Sequence, residues 1–200
     1  MNISRNFVVL SLAVMMLALG ACSGLTQSDK PAMRTWWLEP YMDLSPDKTP
    51  ALPSLLSLSV TVVPGLDTDR ILTLSENAEL NHYSSARWAE NLPELLASLT
   101  GRSLESSGRF EVLSAGTAGG RDHCDLHLEV REFFASLEPS GLTSDVRLAV
   151  HVRYQCESAE ALPLLVKASA PVHDQQMSAI VAAFQQATDD ILKKILTTIP

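Results

Sequence analysis

The sequence is poor in the residues that several kinds of protein require. Only 3 of its 200 residues are cysteine, too few for a miniprotein held together by disulfides, and their spacing is not that of a zinc finger. Its 15 Lys and Arg are outnumbered by 23 Asp and Glu, so the basic surface needed for nucleic-acid binding is missing. No nucleophile elbow, P-loop, dinucleotide-binding glycine motif or zinc-protease motif occurs. The 46% apolar content and the length suit one or two globular domains.

Residues 1–21 are predicted to be a secretory signal. Arg5 supplies a positive start, and an apolar run follows over residues 7–19, broken only by Ser11. This run is shorter than the roughly 20 apolar residues that a membrane span requires. It ends in Leu19-Gly20-Ala21-Cys22, which resembles a bacterial lipobox. Cleavage before Cys22 would leave this cysteine first in the mature chain, with lipid on its sulfur. An uncleaved anchor helix and ordinary signal cleavage nearby are the alternatives.

The residues after the cysteine predict where the protein is held. Ser23 stands where an aspartate would retain a lipoprotein in the inner membrane, so the outer membrane, on its periplasmic face, is the expected location. The leader carries one basic residue and no acid, so its removal makes the net charge more negative than −8. Anionic headgroups would not attract such a body, and attachment therefore depends on the acyl chains. Residues 22–34 are predicted to be a lipidated tether.

The remainder, residues 35–200, is predicted to be a single α+β domain. Apolar patterning predicts strands over residues 35–39, 55–63, 70–74, 79–83, 109–113, 123–134, 146–156 and 162–172, with a proline-rich loop over 40–53. One helix is predicted from Asn91, with Pro93 in its first turn and Gly108 ending it, and a second begins at Asp174. This order favours a two-layer sandwich: a mostly antiparallel sheet with two main helices on one face.

The strongest local prediction is a long hairpin around Pro139-Ser140-Gly141. Both flanking segments alternate apolar and polar residues. Centring the turn on Ser140 places the following residues opposite each other: Cys124 and Cys156, Leu126 and Tyr154, Leu128 and Val152, Val130 and Val150, Glu129 and His151, and His123 and Glu157. Opposed Cβ atoms lie near the reach of a disulfide, and the periplasm is oxidising. We therefore predict a Cys124–Cys156 bond; two buried free thiols are the alternative.

A search for catalytic or metal-binding residues yields no candidate set. His123 and His127 are four apart, but on a strand that spacing separates them by about 13 Å, too far to share an ion. His82 and His173 have no identifiable acid or nucleophile partner. Asp67-Thr68-Asp69 lacks the glycine and glutamate of a calcium loop and is interpreted as a turn. The sequence thus predicts no enzyme activity, no metal and no cofactor.

The tryptophans are the remaining signal. Trp36, Trp37 and Trp88 are candidates either for a partner contact or for the core, and the sequence leaves both interpretations open.

Several short motifs, taken in order, resemble one family. They are Trp37-Leu38-Glu39-Pro40, Leu58-Ser59-Val60 with Pro64-Gly65, Asp69-Arg70-Ile71, Tyr83, Arg87-Trp88-Ala89-Glu90-Asn91-Leu92, and Ser107-Gly108-Arg109-Phe110. This series, over residues 35–198 and with the lipobox, resembles the ABC-type transport auxiliary lipoproteins. The family usually has tyrosine in its opening aromatic-x-Leu, where this chain has Trp36 or Trp37.

The resemblance implies a non-catalytic part of an intermembrane lipid transport system. Such a lipoprotein would dock a periplasm-spanning assembly of MCE-domain proteins at the outer membrane. The assembly sometimes includes an ABC transporter. A ring of identical lipoprotein copies would suit a partner that is itself built as a ring. A periplasmic carrier of lipid or another hydrophobic ligand is the alternative, and a cell-envelope hydrolase is a third. An apolar cavity above about 300 Å³ would favour the carrier.

Overall fold

A computed structural model describes residues 32–42, 53–113, 123–156 and 162–199. Most of these residues belong to strands with alternating apolar and polar side chains or to amphipathic helices. Within these residues lie eight strands and two α-helices. The strands are β1 (Arg34–Trp36), β2 (Ser54–Val62), β3 (Arg70–Ser75), β4 (Leu80–Trp88), β5 (Phe110–Leu113), β6 (Cys124–Leu137), β7 (Thr143–Cys156) and β8 (Leu162–Pro171). The helices are α1 (Leu92–Ser106) and α2 (Met177–Thr198). The predicted leader, Cys22, most of the tether and Glu157 lie outside the described residues.

The hairpin of β6 and β7 has the predicted register from Cys124–Cys156 to Val130–Val150. The register then shifts by one residue beside Arg131, and a second shift near the turn restores it. This bulge explains why the clean alternation of β6 stops at Arg131, because an extra residue reverses which side chains face the core. The turn is closed by the Gly141 amide donating to the Glu138 carbonyl at 2.8 Å, with Gly141 at φ 81°.

Strand β6 also organises the strands on its other edge. β2 runs parallel to its first half, with Leu56 beside Cys124, and β3 runs parallel to its second half, with Ser75 beside Leu137. β5 extends the sheet beyond β2, and β4 then β1 extend it beyond β3. The long ladders of 13 and 10 paired residues, β6–β7 and β7–β8, are antiparallel, as predicted. The four parallel pairings, which are shorter, were not anticipated from the sequence.

Both helices pack on one face of this open sheet. Side chains of α1 and α2 meet those of β2, β6 and β7 around a common apolar centre, with Leu96, Ile191 and Val130 among them. Trp88, Phe184 and Leu99 are among the large side chains that are almost fully buried there. The fold is therefore the predicted α+β two-layer sandwich.

The helix ends follow the local sequence signals in part. Asn91 occupies the position before α1, a proline lies in the first turn, and Gly108 follows the helix with φ 67°. α2 begins at Met177 after Gln176, so the prediction that Asp174 caps it was wrong. Asp174 instead accepts a hydrogen bond from the Gln176 amide at 2.9 Å and closes a turn just upstream.

Several strand boundaries also differ from those predicted, among them those of β1 and β4. β1 starts at Arg34, inside the predicted tether, and ends at Trp36 because the following residues turn onto the helices. β4 continues to Trp88, beyond the predicted end at residue 83. Its pairing with β3 shifts by three residues between Arg70 and Leu72, which breaks the pattern that a regular strand would show. By its internal contacts, Met33–Pro200 is one compact unit.

Candidate functional surface

The Asp69-Arg70-Ile71 motif and the Arg87-Trp88-Ala89-Glu90-Asn91-Leu92 motif contact each other in the structure. The Asp69 carboxylate lies 3.7 Å from Arg70 and 3.5 Å from Arg87, and the Trp88 amide donates to the Asp69 carbonyl at 2.7 Å. Arg87 also donates to the Thr35 hydroxyl at 3.4 Å. The motifs thus join β1, β3 and β4. Because these ion pairs are exposed, each contributes at most about 1 kcal/mol, and the joint orders strands rather than forming a reactive centre.

Trp88 belongs to the core. It is 1% exposed, and the rings of Phe133 and Phe184 meet it edge-on at centroid distances of 5.9 and 5.2 Å. Such edge-to-face pairs each add about 0.5–1.5 kcal/mol beyond burial. Trp88 is therefore unavailable to a partner in this conformation.

The adjacent tryptophans differ from each other. Trp36 is half-buried, and its indole nitrogen has no hydrogen-bond partner in the described structure. Trp37 is 41% exposed, and the Arg102 guanidinium of α1 lies 5.3 Å from its ring centroid, within cation–π range. Of the three candidates, Trp37 is the one whose ring is presented to solvent.

The backbone that carries Trp37 is fixed to both helices. Leu38 is fully buried, Gln185 of α2 bonds the Glu39 amide at 2.8 Å and its carbonyl at 2.9 Å, and the Tyr41 amide donates to Ser103 of α1 at 2.9 Å. A segment bonded to two helices loses little further entropy when its side chains meet a partner. We call Trp37 and Arg102 the Trp37 surface.

The Ser107-Gly108-Arg109-Phe110 motif is structural. Arg109 donates to the carbonyls of Leu196 and Ile199, both at 2.6 Å, and so closes the C-terminal end of α2. A guanidinium there also complements the negative end of the helix dipole. Phe110 is 3% exposed and packs beneath the same arginine, whose guanidinium carbon lies 5.0 Å from its ring centroid.

Cys124 and Cys156 form a disulfide in the structure, at the end of the hairpin far from its turn. The Tyr154 hydroxyl donates to the Cys124 sulfur at 3.3 Å. Burial raises the pKa of the Tyr154 phenol, which keeps it protonated as a donor. The bond links neighbouring strands, and its formation in the cell remains a prediction.

His123 directly precedes β6, His127 lies on β6 and His151 lies on β7, and each contacts a different side chain. His127 bonds the Ser59 hydroxyl at 2.9 Å, His151 lies 3.9 Å from Glu129, and His123 lies 3.7 Å from Asp125. A hydrogen bond from Arg131 lowers the pKa of Glu129. In the described part of the chain no three His, Cys, Asp or Glu side chains group as metal ligands would.

The cavity between the sheet and the helices is small. It measures about 30 Å³ and is lined by apolar side chains from both layers, including Leu96, Phe133 and Ile191. Sites for lipid-sized or drug-sized ligands usually span about 300–1,000 Å³. A larger groove of about 720 Å³ beside β8 and α2 is lined by charges of both signs, among them Arg147 and Asp190. Neither space suits an acyl chain.

A family model described as ABC-type transport auxiliary lipoprotein component matches residues 41–196. This chain belongs to that family. The match covers the whole described body apart from β1 and the ends, in agreement with the resemblance noted over residues 35–198. No curated protein matches the chain.

Solved structures of other proteins share this fold. Protein XCC0632 from Xanthomonas campestris, described as a DUF330 family member, superposes with a TM-score of 0.64 at 19% identity, covering 82% of this chain and 92% of that one. An uncharacterised protein superposes with a TM-score of 0.61 at 15% identity, covering 82% of this chain and 100% of that one. In the described part of this family member no helix has the length and hydropathy of a membrane span.

Sequence reasoning missed two features of this lipoprotein-family body. It did not pair Arg102 with Trp37, because residues 65 positions apart show no local pattern. It also did not see that Arg109 closes α2. An arginine directly after the Gly108 helix stop was the available signal, but its acceptors lie in the last helix of the chain.

Proposed function

We propose that this chain is a periplasmic lipoprotein anchored in the outer membrane through acylated Cys22, and that it docks an MCE-type transport assembly there. The family match over residues 41–196, on a chain that carries Leu19-Gly20-Ala21-Cys22, is the observation that carries the proposal. In this scheme residues 1–21 are removed, residues 22–34 are the tether and the following domain is the docking body.

The proposal assigns no catalytic step. The described histidines are dispersed, and the exposed Asp69, Arg70 and Arg87 form ion pairs between strands. The family description, a transport auxiliary component, supports a binding role. We therefore propose that the protein acts by binding a partner protein and not by catalysing a reaction.

We propose the Trp37 surface as the contact with the MCE partner. Tryptophan and arginine are the residues most often found at interaction hot spots. Trp37 is exposed, stacked under Arg102 and carried on a backbone bonded to both helices. Assembly of several copies into a ring remains part of the proposal, since a ring-shaped partner would present repeated sites.

The alternative, a carrier that encloses lipid, has less support. Its interior cavity would need to be about ten times larger than the 30 Å³ between the sheet and the helices.

Anchoring is tested by membrane fractionation of cells that express Cys22→Ala. When residues 1–21 are replaced by a signal that is cleaved without lipidation, we expect this variant to leave the membrane fraction and to fold, because it has no thiol at position 22 to acylate. Ser23→Asp is the matched control: it should stay membrane-bound but move to the inner membrane. A Cys22→Ala protein that remains in the membrane fraction would refute the anchor.

Docking is tested by capture of the full acylated chain, in detergent, on an MCE-domain protein from the same organism. Trp37→Ala should weaken the affinity about tenfold or more, the usual effect of removing a hot-spot tryptophan. Leu165→Ala is the control, because Leu165 is 47% exposed and lies on β8. No association of the unmodified chain at micromolar concentration would count against docking.

A further inference from the structure

The two hairpin turns of the sheet lie side by side. Ser75 at the end of β3 pairs with Leu137 at the end of β6. Hydrogen bonds from the Ser75 amide to the Glu79 carbonyl and from the Glu138 amide to the Leu142 carbonyl then close a loop of three residues in each hairpin. A groove of about 390 Å³ is lined by residues of both turns, including Glu76 and Pro139. We call residues 75–80 and 137–142 the hairpin end.

The N-terminal end of β1 faces the hairpin end. β1 runs parallel to β4, with Arg34 beside Ala86, and β4 starts at Leu80 in the hairpin end. Because the two strands are parallel, the N-terminal ends of β1 and β4 face the same way, and Arg34 is about 20 Å from Leu80 along the strand direction.

The covalent length limits where an anchor can be. Cys22 and Met33 are 11 residues apart. A chain of that length spans at most about 37 Å and, if flexible, about 18 Å on average. Acyl chains on Cys22 would thus hold the membrane surface closer to the hairpin end than to the disulfide end of the β6–β7 hairpin.

The composition of the hairpin end suits contact with neutral lipid. Leu80 is 45% exposed and Leu142 50%, and Met33, just before β1, is 44% exposed. The charged residues of the hairpin end are all acidic: Glu76, Glu79 and Glu138. Apolar side chains on turns gain by burial at the headgroup boundary, whereas carboxylates are repelled by anionic headgroups.

We propose that the hairpin end rests on the lipid surface that holds the anchor, with Leu80 and Leu142 buried at headgroup level. This proposal rests on acylation of Cys22. It orients the strands across the periplasm, with the turns at the membrane and the Cys124–Cys156 end directed away from it.

The test places one environment-sensitive label on the full acylated chain. Leu142→Cys, Leu80→Cys and Leu165→Cys each add one thiol for the fluorophore NBD, because Cys22 is acylated and the other cysteines are paired. Leu165 is as exposed as Leu142 but pairs with His151, nine residues along β7 from Leu142. Each protein is reconstituted into phosphatidylcholine–phosphatidylethanolamine vesicles containing a lipid-bound quencher.

We expect a blue shift and loss of NBD emission at positions 142 and 80, and neither effect at 165. Replacing part of the neutral lipid by phosphatidylglycerol should reduce the quenching. Equal quenching at all three positions, none at 142 and 80, or a shift at 142 only when the MCE protein is added would overturn the proposal.

Flotation of the same vesicles separates this inference from the proposed function. If the unmodified protein floats with the vesicles and Cys22→Ala does not, the anchor is supported and the NBD result decides the orientation alone. If the unmodified protein does not float, the anchor and the orientation both fail.

Discussion

The two hairpin turns provide a matched pair of substitutions with opposite expected signs. In each turn the third loop residue has a left-handed backbone, Gly141 at φ 81° and Ala78 at φ 62°, and its amide donates to the residue three positions earlier. Glycine adopts this conformation without steric cost, whereas alanine does not. Gly141→Ala should therefore destabilise the fold, and Ala78→Gly should stabilise it.

The expected change in the free energy of unfolding follows from the backbone conformation alone. A Cβ built on Gly141 meets no heavy atom within 4 Å, so its substitution adds no clash. A left-handed conformation costs an L-residue about 1–2 kcal/mol, and alanine recovers about 0.4–1 kcal/mol by reducing the entropy of the unfolded chain. The net change is about 1 kcal/mol, a loss for Gly141→Ala and a gain for Ala78→Gly. For a body of this size it corresponds to about 2–4 °C in Tm.

Each variant is made in a Cys22→Ala background, which needs no detergent. Its thermal and urea unfolding are monitored by circular dichroism. The double variant should unfold close to the parent, because the two backbone effects are local and of opposite sign. A Gly141→Ala protein as stable as its parent, or an Ala78→Gly protein less stable than its parent, would show that the turn conformations do not control these positions.

Three further predictions concern the body. Arg109→Met should lower the free energy of unfolding, measured by urea titration, by about 2 kcal/mol. Arg109→Lys should lower it less, because lysine keeps the positive charge although it cannot donate to two carbonyls in the same geometry. Equal losses in the two variants would contradict this role of Arg109. Replacing both Cys124 and Cys156 by alanine should cost about 3–4 kcal/mol, and non-reducing mass spectrometry of periplasmic protein should show the bond; two free thiols would refute it. Burial raises the pKa of Tyr83 above its ordinary value. The contribution of the protonated Tyr83 phenol to the free energy of unfolding should therefore be complete below about pH 10 and be lost as the pH rises through the pKa of Tyr83 in the folded protein. Urea midpoints should fall less steeply above pH 10 in Tyr83→Phe, and unchanged steepness would exclude Tyr83 as the cause.

Features with a short repeat in the sequence could be predicted. The β6–β7 register from Cys124–Cys156 to Val130–Val150 follows from the alternation in these parts of the two strands, because a one-residue slip there would turn every apolar side chain to water. The start of α1 follows from Asn91 and a proline, and its end from Gly108. Each signal acts over a few residues and needs no distant partner.

Features that depend on distant residues could not be predicted. The parallel pairings of β6 with β2 and β3 join segments far apart in the chain, and no local pattern distinguishes a parallel neighbour from an antiparallel one. Trp36 and Trp37 share one sequence environment, yet Trp36 is half-buried and Trp37 is exposed, because the chain turns onto α1 and α2 immediately after β1.

The sequence by itself determined the small number of cysteines, the excess of acid, the motifs of the family and the alternation that predicts the hairpin; the separate roles of the cysteines are its predictions. These depend on residue type and near-neighbour spacing. Only the tertiary structure decided that Trp88 is core while Trp37 is exposed, that Arg109 closes α2, and that β1 runs parallel to β4. Those outcomes depend on which surfaces pack together and exclude water, and packing joins residues that no local spacing relates.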